Sequence, residues 1–590
     1  MREVFSKDRV TGFLHADGQK MVNGKGEQVI LRGWGMGNWD NPEGFMIGAA
    51  DDFALSFNHA PMGRIDRGRS LEQIVRETCG SKYLETFWDR WHRAWLNEGD
   101  IKLLADRGYN SVRLPIRACS FLKEEPGIEW NEEGFAMLTD VLDWCEKYKV
   151  YAIIDVHAAT AGQSCLPCDD GVDNAPHLFI DDEAMERMYI LMEEFARRYK
   201  DRWIVGGYDC INEPLSVTPR MFELLPTLKE FYAEMVRRFR AIDKNHMFLL
   251  NGTQFSSRMD VFDRDYDPEC HNWAIAIHAY AMVSPEPASF SDAFKKCAEW
   301  NVPLWLGETG TALEYAWQTT VYEMFRERGA GYNLWSFKTC GDTGAAKVLK
   351  FDPPAGWQRI VDYALKGGAK PSYTEAQQIF DAYLEAAKCE NCTEDVSYHS
   401  YLLREGEFEI PAIGYNDLPA DSRCGRCELP GSVGYRQSDR FDITYEDGFA
   451  VPVTFPGAPA PGHVREHMQL RLHTGEFASY TVLEPGTYTV SATYCTAAPA
   501  KVRVTAGGQP LFEGELPAAA EQPAAPGETH PLFPAESAPN TLTDSNKLAR
   551  DSEVQFIKKL RGILFGVTFQ RTPGFKPILG FLFFATCDCF

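Results

Sequence analysis

Eight short apolar runs, each of strand length, constrain this chain more than any other feature. They are Val29–Gly33, Ser111–Ile116, Tyr151–His157, Val205–Ile211, His246–Gly252, Trp273–Tyr280, Val302–Gly307 and Gly331–Phe337. A run this short and this apolar, bounded by turn residues, reads as a strand buried on both faces. Amphipathic helical patterns separate most of them, as at Gly134–Tyr148 and Glu183–Tyr199. Buried strands alternating with helices predict a parallel sheet, and eight repeats predict closure into a (β/α)8 TIM barrel of the α/β class. The last barrel helix is predicted over Thr374–Lys388, with Ile379, Phe380, Tyr383, Leu384 and Ala387 on one face. Ahead of the barrel, a short β segment carries Asn23-Gly24 as a hairpin-turn signal. After the first strand comes a very long connection, roughly Trp34 to Glu98. Insertions of this kind sit at the active-site end of a barrel and shape its cleft.

Beyond Lys388 the helical period stops. Alternating stretches appear at Glu407–Ile413, Arg440–Tyr445, Met468–Leu472, Ser479–Leu483, Thr487–Tyr494 and Lys501–Thr505, separated by turn residues. This is the pattern of a β-sandwich. The chain of 590 residues therefore divides into a catalytic barrel over 1–388, a smaller all-β sandwich over 395–515, and a remainder over 516–590. The sandwich looks incomplete, because its last strands are not visible before the Ala/Pro-rich run that starts near 515. That run reads as linker, and the apolar segment after it has no assignment.

A net charge of −24 argues against a nucleic-acid partner. The N-terminus lacks a basic region followed by an apolar run, so no signal peptide is expected and the default location is cytoplasmic. No apolar stretch reaches the roughly 20 residues needed to cross a membrane. Two Cys-x-x-Cys pairs, Cys389/Cys392 and Cys424/Cys427, have zinc-like spacing, but they flank a domain start rather than form a ribbon, and free thiols are the expectation.

Asn212-Glu213-Pro214 closes the fourth strand, and Glu308 closes the seventh. Taken singly, Asn and Glu near a strand end often cap the next helix. Two carboxyls at one rim of a barrel are instead the minimum set for glycoside hydrolysis. One is protonated and gives its proton to the leaving oxygen, while the other is ionised and attacks or activates water. Different neighbours must hold their pKa values apart.

On these motifs residues 8–388 resemble glycoside hydrolase family 5, the cellulase-like family of retaining β-glycosidases. The resemblance implies Glu213 as acid/base and Glu308 as nucleophile. It implies Arg113, in Val112-Arg-Leu-Pro, as the cation that holds the nucleophile. His157, Asn212, His278, Tyr280 and Trp335 match the family's sugar-site positions. Gly37-Asn38-Trp39-Asp40-Asn41-Pro42-Glu43 is similar to the pocket-closing segment of exo-β-1,3-glucanases in that family, which implies Glu43 and Trp39 as sugar contacts. Asn38 stands there for a Gly, and Gly44 for a Pro. The strand-3 loop through Gln163 is similar to that group's, which implies Gln163 in the pocket. Gly475–Val482 with Gly486–Ser491 resembles carbohydrate-binding modules of families 6 and 35, and Gly434-Tyr435-Arg436 resembles their sugar-stacking loop, which implies Tyr435 as an accessory contact.

The expectation is thus a retaining, exo-acting β-glycosidase with a β-glucan or gluco-oligosaccharide substrate and no metal or organic cofactor. An endo-β-1,4-glucanase or mannanase with an open groove, or a silent glycan-binding protein, are the alternative readings. Oligomeric state is not legible.

Overall fold

The computed structural model describes residues 6–49 and 65–415, apart from 125, 282, 312–314, 344, 397 and 404–407. It also describes the strands of 441–445, 468–472, 477–481, 486–495, 500–506, 509–516, 544–548, 553–558 and 562–571. The chain opens with a two-stranded hairpin, β1 (His15–Asp17) and β2 (Lys20–Val22), in which Asp17 faces Lys20. Its turn is therefore Gly18-Gln19 and not Asn23-Gly24. Gly18 supplies the positive φ of 57° that a tight turn demands. Asn23-Gly24 begins the next turn, which brings Gln28 back to an antiparallel bridge with Val22 and the Asn23 N–H to the Glu27 carbonyl, and the Gly24 N–H donates to the Thr11 carbonyl.

Eight parallel strands close a barrel in the order β10-β3-β4-β5-β6-β7-β8-β9. They are β3 (Arg32–Gly35), β4 (Ser111–Arg117), β5 (Tyr151–Ala158), β6 (Val205–Asp209), β7 (Phe248–Asn251), β8 (Trp273–Ala279), β9 (Leu304–Thr309) and β10 (Gly331–Leu334). Every residue of β3 to β10 is buried, as a sheet covered by helices on its outside requires. The predicted TIM barrel is the observed fold, with all eight strands within a few residues of their expected places. The helices Glu132–Tyr148 and Asp182–Tyr199 cover it where expected, and Tyr373–Ala386 is the last.

The long first connection folds as helices Gly68–Cys79 and Phe87–Trp95. Aromatic rings clamp it to the end of the barrel domain. Trp91 stacks on Tyr383 at 5.8 Å, and Phe87 meets Phe380 edge-on at 5.7 Å. The Tyr383 hydroxyl donates to the Ile47 carbonyl at 3.0 Å, and Trp357 Nε1 donates to the Gly48 carbonyl at 2.9 Å. This fixes the segment carrying Asn38–Glu43 over the C-terminal face of the barrel. A small sheet of β11 (Lys338–Cys340), β12 (Leu349–Phe351) and β13 (Thr393–Glu394) follows the barrel. There Lys338 is buried against Asp100 at 2.9 Å and also donates to the Ala387 carbonyl. A buried lysine needs such partners.

The strands described from Phe408 onward all pair antiparallel. One sheet orders β15 (Asp442–Tyr445), β16 (Met468–Leu472), β23 (Gly562–Arg571), β18 (Gly486–Cys495) and β21 (Asp544–Leu548), with β14 (Phe408–Pro411) also on β23. The other orders β17 (Phe477–Thr481), β22 (Glu553–Lys558), β19 (Ala500–Ala506) and β20 (Gln509–Leu516). Strands β21, β22 and β23 fall within 516–590, the stretch read as linker and tail. β22 lies between β17 and β19, and β23 pairs with β14, β16 and β18. The strands missing before the Ala/Pro-rich run stand after it. Cys389 and Cys392 are free thiols, while Cys424 and Cys427 lie outside the described residues. Among the described residues no helix is long and apolar enough to cross a membrane.

Candidate active site

The strand ends of β4, β5, β6, β8 and β9 place their polar side chains in one buried layer. Arg113, on β4, is at its centre. Its Nε donates to Asp209 Oδ2 at 2.9 Å, Nη1 to Glu308 Oε2 at 2.8 Å and Nη2 to Asn212 Oδ1 at 2.7 Å, with Asp155 Oδ1 3.1 Å away. Burial opposes its charge, but Asp155, Asp209 and Glu308 outweigh burial and raise its pKa. A guanidinium in this setting stays charged.

Glu308, on β9, takes Arg113 on one oxygen and the Tyr280 hydroxyl on the other. Burial and Glu308 push the Tyr280 phenol well above its ordinary range, so it remains a donor. Glu213 follows β6. Its Oε1 lies 2.7 Å from His278 Nδ1, which is 3.8 Å from Glu308 Oε2. One donor atom from each of Glu213, His278 and Glu308 falls within 4.8 Å of the others. This is the one cluster of metal-ligand spacing among the described residues. Its nitrogen is already committed to Glu213, and Arg113 already supplies a cation to Glu308, so the set suits proton transfer better than a metal.

The two carboxyls differ in environment. Burial pushes Glu213 up to about 7, while Glu308 carries the direct contact to Arg113. Burial, then Arg113, lowers His157 to about 4, and burial lowers His278 to about 3. Both imidazoles are neutral near pH 7. His157 Nδ1 pairs with Asp155 Oδ2 at 2.7 Å, its Nε2 lies 3.3 Å from Asn212 Nδ2, and its ring stacks on Trp335 at 5.0 Å. Trp335 follows β10 across the glycine segment of β3. A Cβ on Gly35 would stand 2.5 Å from the Trp335 ring, so only glycine admits the indole there.

Glu43 comes from the first connection, held by its N–H to Asn38 Oδ1 at 3.0 Å. It is 7% exposed, and its Oε1 is buried with no partner. Burial, then Glu308 and Glu213, raise its pKa well above the usual carboxylate range. Glu43 therefore shares a neighbourhood with the two strand-end carboxyls.

Two expected sugar contacts are placed otherwise. Gln163 is fully buried. Its Nε2 donates to the carbonyls of His157 and Asn212, and its Oε1 accepts from the Ala159 N–H. It braces the loops after β5 and β6 and has no free group for a ligand. Trp39 is 1% exposed and packs edge-on against His92 at 6.3 Å, so its ring packs within the first connection, and its Nε1 is buried with no partner. Tyr435 lies outside the described residues. Asp155, Asp209 and Asn251 join the layer without having been singled out. Their signal was the buried charge or amide in otherwise apolar strands, which must find a partner.

Residues 73–341 match the family described as Cellulase (glycosyl hydrolase family 5). Cellodextrinase A of Ruminococcus flavefaciens is 37% identical over 274 residues, which are 45% of this chain and 74% of that protein. The chain belongs to glycosyl hydrolase family 5. A β-xylosidase of Phanerodontia chrysosporium is 26% identical over 373 residues, 58% of this chain and 74% of that protein. Glucan 1,3-beta-glucosidase 2 of Wickerhamomyces anomalus is 23% identical over 279 residues, 46% and 61% respectively. As a family 5 member the protein is a glycoside hydrolase of β-glycosidic bonds, and it works with retention at the anomeric carbon.

Proposed function

We propose that Glu213 is the acid/base and Glu308 the nucleophile of an exo-acting β-glucosidase or exo-β-glucanase. The observation that supports the pair is the approach of their oxygens to within 4.8 Å. Retaining enzymes need about 5–5.5 Å between carboxyl groups, whereas inverting ones need about 6.5–9.5 Å to admit a water. Glu308 attacks the anomeric carbon as the leaving oxygen takes the Glu213 proton. The ester so formed is then opened by water, whose proton returns to Glu213 as the C–O bond to Glu308 breaks. Arg113 and Tyr280 hold both Glu308 oxygens in line. Asn212 spends its carbonyl on Arg113 and one amide hydrogen towards His157, leaving the other for a sugar 2-hydroxyl.

Exo action is supported by Glu43, a buried carboxyl with an unpartnered oxygen beside the pair. Such an oxygen suits the far hydroxyls of a terminal sugar and closes the cleft behind it. The likeness to a cellodextrinase supports short β-1,4 gluco-oligosaccharides as an alternative to β-1,3 glucans. Product analysis on laminarin and cello-oligosaccharides tests both points. Release of single glucose units is expected, and a ladder of internal products would overturn the exo reading. The all-β unit, taken to start near 395 and to run through β23, is proposed as an accessory sugar-binding module. Loss of glucan retardation in affinity electrophoresis of full-length Tyr435→Ala is its test.

A further inference from the structure

Glu213 has a φ of 41°, a left-handed backbone that costs a non-glycine residue roughly 1–2 kcal/mol and persists only where its surroundings enforce it. The Glu213 N–H points to Asn251 Oδ1 at 3.4 Å. Asn251 Nδ2 donates to Asp209 Oδ1 at 2.6 Å, and Asp209 Oδ2 accepts from Arg113 Nε. Arg113 ends on Glu308. A single buried chain thus runs from the carboxyl of Glu308 to the backbone amide of Glu213. Asp209 and Asn251 are wholly buried and have no surface for substrate. The orientation of the Asn251 amide is fixed, because its NH2 must face a carboxylate and its oxygen must face an N–H. On its other side the Glu213 carbonyl accepts from Ser216 Oγ at 2.8 Å.

We propose that Asp209 and Asn251 are positioning residues that hold the Glu213 backbone and so aim its carboxyl at the leaving-group oxygen. The inference rests on Glu213 being the acid/base. A misaimed acid harms only steps that need its proton. Asn251→Ala should therefore lower kcat/KM about 10- to 100-fold on an alkyl or natural β-glucoside, while the burst of dinitrophenolate from a dinitrophenyl glucoside stays within about threefold. Asp209→Asn, which keeps shape, should show the same split to a smaller extent. The double variant should fall no further than the worse single one, as members of one chain do. Equal losses on both substrates, or additive losses in the double variant, would overturn the proposal. If Asn251→Ala does not fold, Asn251→Ser and Asp209→Asn carry the same test. Glu213→Ala run alongside separates the two failures. If it lacks the leaving-group split, the role of Glu213 is wrong. If it shows the split and the Asn251 and Asp209 variants do not, only the positioning role is wrong.

Discussion

Two buried acids at one rim of this barrel are treated in opposite ways. Around Glu308, on β9, every oxygen is engaged. Arg113 takes one and Tyr280 the other, and Arg113 is itself locked by Asp209, Asn212 and Asp155. Around Glu43, in the first connection, the carboxyl oxygen Oε1 is buried and unpartnered. A buried polar group without a partner costs about 1–3 kcal/mol. The strand-end layer is thus preorganised before any sugar arrives, whereas the connection holds a group whose bond is completed by a ligand. Charge that must act in the transition state is prepaid by the fold, and recognition is left open.

The largest expected effects lie in the preorganised layer. Glu308→Ala should lower kcat by about 10⁴-fold or more on every substrate, since no glycosyl-enzyme can form. Glu213→Ala should lose roughly 10²–10⁴-fold on poor leaving groups, yet release dinitrophenolate in a first step and then accumulate the ester. Azide should rescue that variant with a β-glycosyl azide, and should give the α-azide with Glu308→Ala. Exchanged azide products would reverse the two roles, and wild-type rates in both variants would remove the pair from catalysis.

Next in size is the open acid. Glu43→Ala should raise KM on short oligosaccharides about tenfold, the worth of a hydrogen bond to a charged or strongly polar group, with kcat much less affected. Unchanged kinetics on laminaribiose and cellobiose would show that Glu43 meets no sugar, and the contrast between the two acids would lose its functional meaning.

The preorganised layer was the more legible in sequence, for a physical reason. Strand length and an acid closing the fourth and seventh strands are local signals, and they pointed to Glu213 and Glu308, while the resemblance to family 5 added Arg113, His157 and His278. Asp209 and Asn251 were not singled out, because a strand residue's facing is decided by barrel closure and not by its neighbours in sequence. Gln163 and Trp39 were placed by resemblance to a pocket, but the Gln163 amide is taken by backbone groups and the Trp39 ring is buried edge-on against His92. The sandwich strands β21–β23 were missed because their partners lie up to about 160 residues upstream and the pairing crosses the Ala/Pro-rich run. The Asn23-Gly24 signal marks the turn that returns the chain from Val22 to Gln28, while the earlier turn at Gly18-Gln19 was not read.

A smaller effect sharpens the picture of the acid/base. With Glu213 held up near 7, kcat/KM should fall as pH rises through about 7, because the proton to be donated is lost. His278 Nδ1 lies 2.7 Å from Glu213 Oε1. As a donor to the ionised form it lowers this pKa, and as an acceptor from the acid it raises it. His278→Phe removes the partner, so the basic limb should move up by about one unit in the first case and down in the second. A limb that stays in place would mean that this contact does not set the acid.

The smallest effect is on stability and comes from Glu43. Its folded pKa is raised by burial and by the nearby Glu308 and Glu213, so the folded protein keeps a proton that the unfolded chain releases. Where the native state binds more protons than the unfolded one, stability falls as pH rises. The penalty is absent below the ordinary carboxyl pKa and grows until the folded pKa is passed. Glu43→Gln removes the titrating group but keeps its shape. It should therefore match wild type in acid and exceed it at neutral pH, by about 1 kcal/mol or roughly 2–4 °C in Tm. Melting curves at pH 4, 6 and 8 would show the two proteins diverging upward with pH. Parallel curves would mean that Glu43 finds partners or solvent in both states, and that the unfilled oxygen costs the fold nothing.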